Sequence, residues 1–305
     1  MLNQNEIKEM LKETGYYSTD KIDIAIMVAL YGNRPLLIEG DPGVGKTAIA
    51  YALSKAMNLP VVRAQMYDGI TADKLLYEED YQKQLLTLEA IRPVIEKKYG
   101  DASVEEAVDH ASKELNMKGL EFLIKRPILQ TIDGSGKKIL LIDEIDKSSE
   151  EIEHALLEFL EHYSINIPGY GEIQCPEGQE PIVILTSNGY RELSGATKRR
   201  CNYLYIQPKT EQEIIAILKG QAGADDQLAT GIAKCLIEAQ KDSRIKGKPS
   251  VAEAITWADF LQQHPERTKE LVIGSLGTIV KNNKDLEPME VYVAKNGELL
   301  WRNAK

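Results

Sequence analysis

The sequence predicts an α/β domain built on a parallel five-stranded sheet with helices on its faces, followed by a smaller all-helical domain. Up to about residue 208, short apolar runs of strand length alternate with helical patterns, as they do in parallel sheets covered by helices. Beyond Pro208 the patterns are helical, with little strand. A chain of 305 residues is also long for one core and suits two. We therefore assign residues 1–208 to the α/β domain and residues 209–305 to the helical domain.

The predicted strands are apolar runs of four to six residues, rich in leucine and isoleucine. They are Pro35–Glu39, Pro60–Arg63, Lys138–Asp143, Ile182–Ser187 and Leu204–Gln207. A helix from about Asp20 to Gly32 precedes the first strand, and Lys46–Met57 follows it as a helix with one apolar stripe. Two capping-box patterns are expected to begin helices in the C-terminal part, namely Thr210-x-x-Glu213 and Ser250-x-x-Glu253.

Two stretches between the strands are irregular. Residues 66–130 are longer than an ordinary crossover, so we expect an insert near residues 66–80 and extra helices, for example around Ser103–Leu115. Residues 164–181 alternate in polarity and turn at Pro168 and Gly169, which predicts a β-hairpin before the Ile182–Ser187 strand.

Composition disfavours several classes of function. The chain carries 37 Lys and Arg against 47 Asp and Glu, a formal net charge of −10, and no long basic run, so we do not expect a nucleic-acid partner. The longest apolar run, Ile24–Leu30, is too short for direct membrane insertion. Cys175, Cys201 and Cys235 match no metal or redox spacing and are expected to be reduced thiols in a cytoplasmic protein.

A phosphate-binding loop is the strongest motif in the sequence. The pattern G-x-x-x-x-G-K-T is made by Gly40, Asp41, Pro42, Gly43, Val44, Gly45, Lys46 and Thr47. Glycines let backbone N–H groups surround a phosphate, and the helix that follows points its positive end at the same anion. Lys46 would then reach the β- and γ-phosphates of a nucleotide and Thr47 would ligate Mg²⁺. The alternative is a glycine-rich turn with a surface lysine.

Two further strands end in polar residues that suit this chemistry. Asp143 ends an apolar strand and is expected to hold Mg²⁺, directly or through water, while Glu144 can polarise the attacking water as a general base. Asn188 follows the next strand and can orient that water near the γ-phosphate. Its alternative role is a turn with Gly189. Asp146 is a less favoured participant than these residues, and its alternative role is to cap the helix that follows.

Basic residues supply the remaining candidates. Lys198, Arg199 and Arg200 precede the last strand, and an arginine from a neighbouring subunit can complete a nucleotide site in trans. The alternative is a solvated basic turn. Lys248 lies in a small basic loop before a capped helix, where it would either contact a phosphate from the second domain or form only part of a loop.

The order of these motifs resembles that of an AAA+ ATPase with a P-loop fold. More narrowly, the chain resembles the MoxR family and, within it, the CoxD-like proteins. The resemblance spans about residues 20–262. The segments that carry it are GDPGVGKT, ILLIDE, LTSN, QMYDGITADKLLY at Gln65–Tyr77, KRPILQ at Lys125–Gln130 and RELSGATKRRC at Arg191–Cys201.

This resemblance implies an ATP-driven chaperone that works as a ring, commonly a homo-hexamer. It implies a partner with a von Willebrand factor A domain and a client metalloenzyme subunit such as a molybdenum hydroxylase. Lys46 and Thr47 match the phosphate-loop pair, Asp143 and Glu144 the Walker B pair, and Asn188 sensor 1. Either Arg199 or Arg200 matches the arginine finger, with Arg200 favoured because it comes last. The 66–80 insert and the 164–181 hairpin resemble pore-facing insertions.

The chain departs from the family pattern at two positions. The lid helix carries no arginine at the sensor 2 position, which leaves Lys248 as the candidate for that role, and Cys201 stands where a phenylalanine usually closes the finger segment.

The sequence leaves three other functions open. They are an ATP-dependent assembly switch or scaffold with little turnover, a nucleic-acid motor, and a small-molecule kinase.

Overall fold

A computed structural model describes residues 2–99 and 119–301, and all structural statements refer to these residues. The strands are β1 (Leu36–Gly40), β2 (Val61–Gln65), β3 (Tyr77–Glu79), β4 (Leu123–Lys125), β5 (Ile139–Asp143), β6 (Ser164–Ile167), β7 (Gly171–Gln174), β8 (Ile182–Ser187) and β9 (Asn202–Ile206). The helices of the first part are α1 (Gln4–Glu13), α2 (Asp20–Gly32), α3 (Lys46–Met57), α4 (Ala72–Leu75), α5 (Tyr81–Tyr99), α6 (Pro127–Thr131), α7 (Glu150–His162) and α8 (Gly195–Arg200). Those of the second part are α9 (Glu211–Ala222), α10 (Asp226–Lys241), α11 (Val251–Gln262), α12 (Lys269–Gly274), α13 (Asn283–Lys295) and α14 (Gly297–Leu300).

Five strands form a parallel sheet in the order β2-β5-β8-β1-β9. This confirms the sheet predicted from the five apolar runs. Side chains alternate between its two faces, so each face is covered by its own apolar layer. Ile38, Leu141 and Ile184 pack with helices α1 to α3 on one face, while Leu140 and Leu185 pack with α7 on the other. A sheet buried on both sides explains why these strands read as continuous apolar runs.

The parallel arrangement brings the carboxyl ends of the strands to one edge of the sheet. In the register, Glu39 lies opposite Ser187, and Gln65 lies opposite Asp143. The loops that follow β1, β5 and β8 therefore leave the sheet side by side. This is where open α/β sheets bind their ligands.

The two irregular stretches contain small antiparallel sheets. Within the long insert, β3 pairs with β4 between helices α4, α5 and α6. The helix expected around Ser103–Leu115 lies outside the described residues. Strands β6 and β7 pair across the turn at residues 168–170, as the predicted hairpin requires.

The C-terminal region is helical, as predicted. Thr210 and Ser250 each form the complete capping box expected from the sequence. The core of this helical region surrounds the fully buried Trp257, whose indole N–H donates to Ser275 Oγ at 2.8 Å. No helix within residues 2–99 and 119–301 is both long and apolar enough to cross a bilayer.

Candidate functional site

The loop between β1 and α3 has the backbone that phosphate binding requires. Gly43 and Gly45 have φ values of 82° and 96°, in the left-handed region that glycine adopts without steric cost. Gly40 has no room for a side chain, since a Cβ there would lie 2.5 Å from the carbonyl oxygen of Ile206. Helix α3 begins at Lys46, directly after this turn, so its N-terminus faces the loop.

Lys46 connects the loop to the neighbouring strand. Its buried ammonium donates to Gly40 O at 2.8 Å, to Asp41 O at 2.9 Å and to Asn188 Oδ1 at 2.6 Å. Burial lowers the pKa of Lys46, and the carboxylates nearby, Asp146 foremost, oppose that shift. Phosphate oxygens are acceptors of the same kind as those that hold the ammonium in this structure, so Lys46 is placed to exchange them for a nucleotide.

Asp143 and Thr47 place two oxygen atoms that can ligate a metal ion side by side at the carboxyl end of β5. The Thr47 hydroxyl donates to Asp143 Oδ1 at 3.0 Å, and the Thr186 hydroxyl donates to the same oxygen at 2.6 Å. The carboxylate is only 3% exposed. A hydroxyl and a carboxylate beside a phosphate-binding loop are the hard ligands that Mg²⁺ takes in nucleotide sites, so the residues fit this ion.

Glu144 is held in an unusual backbone conformation with its carboxylate surrounded by donors. Its φ and ψ are 59° and 50°, a left-handed conformation that costs a non-glycine residue about 1–3 kcal/mol and is concentrated at functional sites. Gln65 Nε2 and Lys147 Nζ donate to Oε2 at 2.9 and 2.8 Å, and Asn188 Nδ2 donates to Oε1 at 3.0 Å. The structure thus places this predicted base beside the phosphate loop and Asp143.

Asn188 joins the two sides of the site. Its amide oxygen accepts from Lys46 and its amide nitrogen donates to Glu144, and only this orientation of the amide satisfies both partners. The loop it belongs to is fixed by Asp146, whose Oδ2 accepts from the backbone N–H groups of Asn188 and Tyr190, both at 3.0 Å. The helix-capping role considered for Asp146 is therefore wrong, because its carboxylate faces the β8 loop and the cap of α7 is Ser149.

A cleft of about 760 Å³ lies between the phosphate loop and the helical region. Its lining includes residues 41–44 on one side and residues 246 and 248–251 on the other. The two sides are in contact, since a Cβ on Gly43 would lie 2.6 Å from Ser250 Cβ. The cleft beside the phosphate loop is therefore bounded on its other side by the helical region.

Two lysines, Lys248 and Lys209, line this cleft. Lys248 lines it, but its ammonium donates to Ala239 O at 3.0 Å and Asp242 O at 2.5 Å, so it binds the carboxyl end of α10 instead of the phosphate loop. Lys209, which we did not single out, is 7% exposed and lies 3.9 Å from its closest carboxylate, Glu213. Burial lowers the pKa of Lys209, and an anionic ligand in the cleft would compensate its charge better than Glu213 does.

The two arginines lie far from this site in their own chain. The Arg34 guanidinium donates to the backbone oxygen of Arg199 at 2.5 Å, so Arg199 lies beside Arg34. Arg34 precedes Gly40 by six residues of nearly extended chain, which at about 3.3 Å per residue places the two about 20 Å apart. Arg200 donates to Glu161 Oε2 at 2.5 and 2.9 Å, and Glu161 lies near the far end of α7. Both arginines therefore lie at the end of the sheet opposite the phosphate loop, and neither reaches the phosphate loop of its own chain.

Three further residues of the site escaped sequence analysis. Arg63 pairs with Asp143 Oδ2 at 2.5 Å, Gln65 reaches Glu144, and Thr186 accepts the Glu144 N–H at 2.9 Å. Arg63 and Gln65 lie about 80 residues before their partners, and only the β2–β5 register brings them together. The one available signal was the alternation of polar Arg63 and Gln65 with apolar residues along β2.

Replacing Arg63 with Ala is expected to lower the Mg²⁺ concentration that gives half-maximal ATP turnover. The Arg63 side chain is half-exposed, so its pair with Asp143 is worth about 0.2–1 kcal/mol, or about a 1.5- to 5-fold change in that concentration. Mg²⁺ titrations of turnover and of nucleotide binding measure the effect. Lys55→Ala, which removes an exposed charge elsewhere on the same domain, is the control. An unchanged or higher Mg²⁺ requirement would contradict competition between Arg63 and the ion.

A parallel sheet, a phosphate-binding loop after β1 and an acidic pair at the carboxyl end of β5 together define a P-loop nucleotide-binding domain. The family described as AAA domain (dynein-related subfamily) matches residues 35–201, more than half of the chain. The chain therefore belongs to this family and carries an AAA-type ATPase domain, which confirms the broader class expected from the motifs.

Two proteins illustrate what the chain is similar to. Replication factor C subunit 3 of Arabidopsis thaliana is 28% identical over 216 residues, which is 67% of this chain and 52% of that protein. The chain thus spans about half the length of the curated relative that it matches. A RuvB mutant from Thermotoga maritima is 16% identical with a TM-score of 0.45, covering 98% of this chain and 71% of the other. That structural likeness is too low to support any inference.

Proposed function

We propose that this protein is an ATP-hydrolysing chaperone of MoxR type that remodels a client protein or metalloenzyme. It would act as a ring in which each ATP site is completed by the next subunit. One observation carries the proposal: Lys46, Asp143, Glu144 and Asn188 meet around one phosphate loop, whereas Arg199 and Arg200 lie at the far edge of the sheet. A site whose arginine must come from another copy needs assembly to work.

The residues of the site have distinct parts in hydrolysis. Backbone N–H groups of the loop and the Lys46 ammonium bind the phosphates and neutralise their charge. The Glu144 carboxylate takes a proton from the attacking water while the Asn188 amide fixes the position of that water. Thr47 and Asp143 would hold Mg²⁺, which neutralises charge on the phosphate oxygens when bound. An arginine from the neighbouring copy stabilises the charge that develops on the transferred phosphoryl group.

The helical region supplies the moving part in this proposal. Residues 1–208 act as the nucleotide-binding domain and residues 209–305 as a lid. The contact between Gly43 and Ser250 joins the phosphate loop to the N-terminus of α11, so a change at the phosphates is transmitted directly to the lid. Lys248 can follow the nucleotide only by leaving the carbonyl groups at the end of α10.

The client and partners rest on the resemblance to MoxR and CoxD-like proteins. They would be a protein with a von Willebrand factor A domain and a metalloenzyme subunit such as a molybdenum hydroxylase, in the cytoplasm. Two exposed tyrosines support contact with a polypeptide. Tyr67 stands in the 66–80 insert and Tyr170 at the turn of the β6–β7 hairpin, 50% and 38% exposed. Exposed aromatic side chains on projecting segments are suited to gripping a client chain.

Capture of the client tests this proposal. A tagged Glu144→Gln variant binds ATP without turning it over and is expressed in the native host. Proteins that elute with ATP and not with ADP are then identified. We expect a von Willebrand factor A protein together with a metalloenzyme subunit. Recovery of nucleic acid, or of no other protein in an ATP-dependent manner, would contradict the chaperone role.

A nucleic-acid motor is the second candidate, because the matched curated relative is named as a replication factor. The net charge of −10 opposes it. Salt-sensitive binding of this chain to single- or double-stranded DNA in the presence of ATP would favour it over the chaperone. An assembly switch or scaffold is a weaker candidate, since a switch does not require the strained and fully hydrogen-bonded Glu144.

A further inference from the structure

Glu153 is a buried carboxylate whose role the ATP site does not explain. It lies in the first turn of α7 and is 0% exposed. Burying a carboxylate is costly unless charged and hydrogen-bonding partners replace its water. Burial would by itself raise the pKa of Glu153, but hydrogen bonds from Thr197 and Ser194 and the charge of Arg191 outweigh it and hold the pKa low. The carboxylate is thus kept ionised by partners gathered around it.

All of these partners come from one segment, which follows Asn188 and leads to the two arginines. The Ser194 N–H and the Thr197 hydroxyl donate to Glu153 Oε2 at 2.9 and 2.8 Å. Arg191 Nη1 lies 2.5 Å from Oε1 as an ion pair, and Arg191 Nη2 donates to Ser148 O at 2.8 Å. Glu153 therefore ties the segment from Arg191 to Thr197 to the helix that follows the Walker B acids.

This segment becomes the short helix α8, which carries Arg199 and Arg200 in its last turn. Six residues are too few for a helix to be stable in isolation, so contacts with the rest of the fold decide its direction. Ser194 caps it and Thr197 is in its first turn, so Glu153 binds the start of α8 while Glu161 binds Arg200 at its end. Two carboxylates of α7 thus fix the helix at both ends.

We propose that Glu153 is a positioning residue for the arginine that each subunit offers to its neighbour's ATP site. The proposal rests on the trans arginine of the proposed function. By fixing the first turn of α8, Glu153 sets where the guanidinium groups of Arg199 and Arg200 stand relative to the next subunit. Since misplacement of a catalytic group by about 1 Å can cost about 10²-fold in rate, loss of this anchor affects turnover without touching the phosphate loop.

Glu153→Gln is the direct test of this role. Glutamine keeps the shape and an acceptor oxygen but loses the charge that holds Arg191. We expect kcat to fall by about 10- to 100-fold with KM for ATP nearly unchanged. Glu158→Gln is the matched control, because Glu158 lies on the same helix with its side chain in solvent. A parallel rise in KM, or a kcat equal to that of the control, would overturn the proposal.

A mixing experiment separates positioning in trans from a general effect on folding. Glu144→Gln subunits have a disabled site but an intact Glu153 and intact arginines. In a random equimolar ring, about half of the Glu153→Gln sites then face an intact arginine. We expect turnover per Glu153→Gln subunit to rise at least about threefold above that of Glu153→Gln alone. No rise would mean that Glu153 acts on its own site or on the fold, and the proposal would be wrong.

Two further experiments distinguish a failure to fold from a failure of the proposal. If Glu153→Gln does not fold, Arg191→Gln breaks the same ion pair from the other partner, and the same recovery is expected on mixing. Mixing Glu144→Gln with an Arg199→Ala, Arg200→Ala double variant tests the trans arginine itself. Recovery in that mixture without recovery for Glu153→Gln contradicts only the positioning role, whereas failure of both contradicts the proposed function.

Discussion

Replacing Glu144 with Gln is expected to reduce ATP turnover by about 10²–10⁴-fold while leaving ATP binding in place. The amide of glutamine cannot accept a proton from the attacking water. Its oxygen can still accept from Gln65 and Lys147, and only the hydrogen bond from Asn188 to the second oxygen is lost. Phosphate release at saturating ATP measures turnover, and a fluorescent nucleotide measures binding. Lys46→Ala, in contrast, should weaken binding itself, because it removes the ammonium from the phosphate loop.

Glu151→Gln is the matched control for the loss of one acidic charge. Glu151 is exposed on α7, seven residues further along the chain and away from the hydrogen bonds of the site. Its turnover should equal that of the unaltered protein. Turnover above about one tenth of normal in Glu144→Gln would mean that another group accepts the proton, and the assignment of the base would be wrong.

Loss of the trans arginine is expected to have the second large effect. We expect Arg200→Ala to lower turnover by about 10³-fold or more at saturating ATP, with nucleotide binding to the isolated subunit unchanged. Glu161 holds the Arg200 guanidinium in one direction, so it is already oriented before a neighbour docks. Arg199 is exposed, and within residues 2–99 and 119–301 its side chain has no hydrogen bond or ion pair. Measuring Arg199→Ala beside Arg200→Ala decides which of the two is the finger.

Lys198→Ala is the control on the same helix. Lys198 pairs with Glu192 at 3.0 Å and carries the same charge as the two arginines. If the loss of any basic charge from this helix lowered turnover, Lys198→Ala, Arg199→Ala and Arg200→Ala would all lower it equally. Normal turnover in both arginine variants would contradict completion of the site by this helix.

The sequence predicted the parts of the site that depend on local signals. The phosphate loop follows a fixed pattern, and strand β5 is a continuous apolar run that ends in Asp143, so both could be placed without tertiary information. The prediction that the phosphate loop and Asp143 lie close to Asn188 followed from one rule: the carboxyl ends of parallel strands lie at the same edge of the sheet. The observed Lys46–Asn188 hydrogen bond is the consequence.

The residues that sequence analysis missed or misjudged depend on long-range contacts. Asp146 was considered a less favoured participant or a helix cap, but it accepts hydrogen bonds from the backbone N–H groups of a loop more than 40 residues away. Glu153 looks like a solvent-facing acid in the first turn of a helix until the fold brings Arg191 and Thr197 to it. For Lys248 the sequence left open a phosphate contact or a place in a loop, and in the structure the open carbonyl groups at the end of α10, which lie closer in the chain, bind it.

The central claim is that each ATP site is completed by a second copy of the chain. Complementation between two inactive variants tests this claim most directly. One variant is Glu144→Gln, which keeps its arginines, and the other is the Arg199→Ala, Arg200→Ala double variant, which keeps its own Lys46, Asp143 and Glu144. The two are mixed, allowed to exchange subunits and assayed for phosphate release. We predict turnover well above the sum of the two separate preparations, because intact sites then receive intact arginines. Turnover equal to that sum would contradict the trans site.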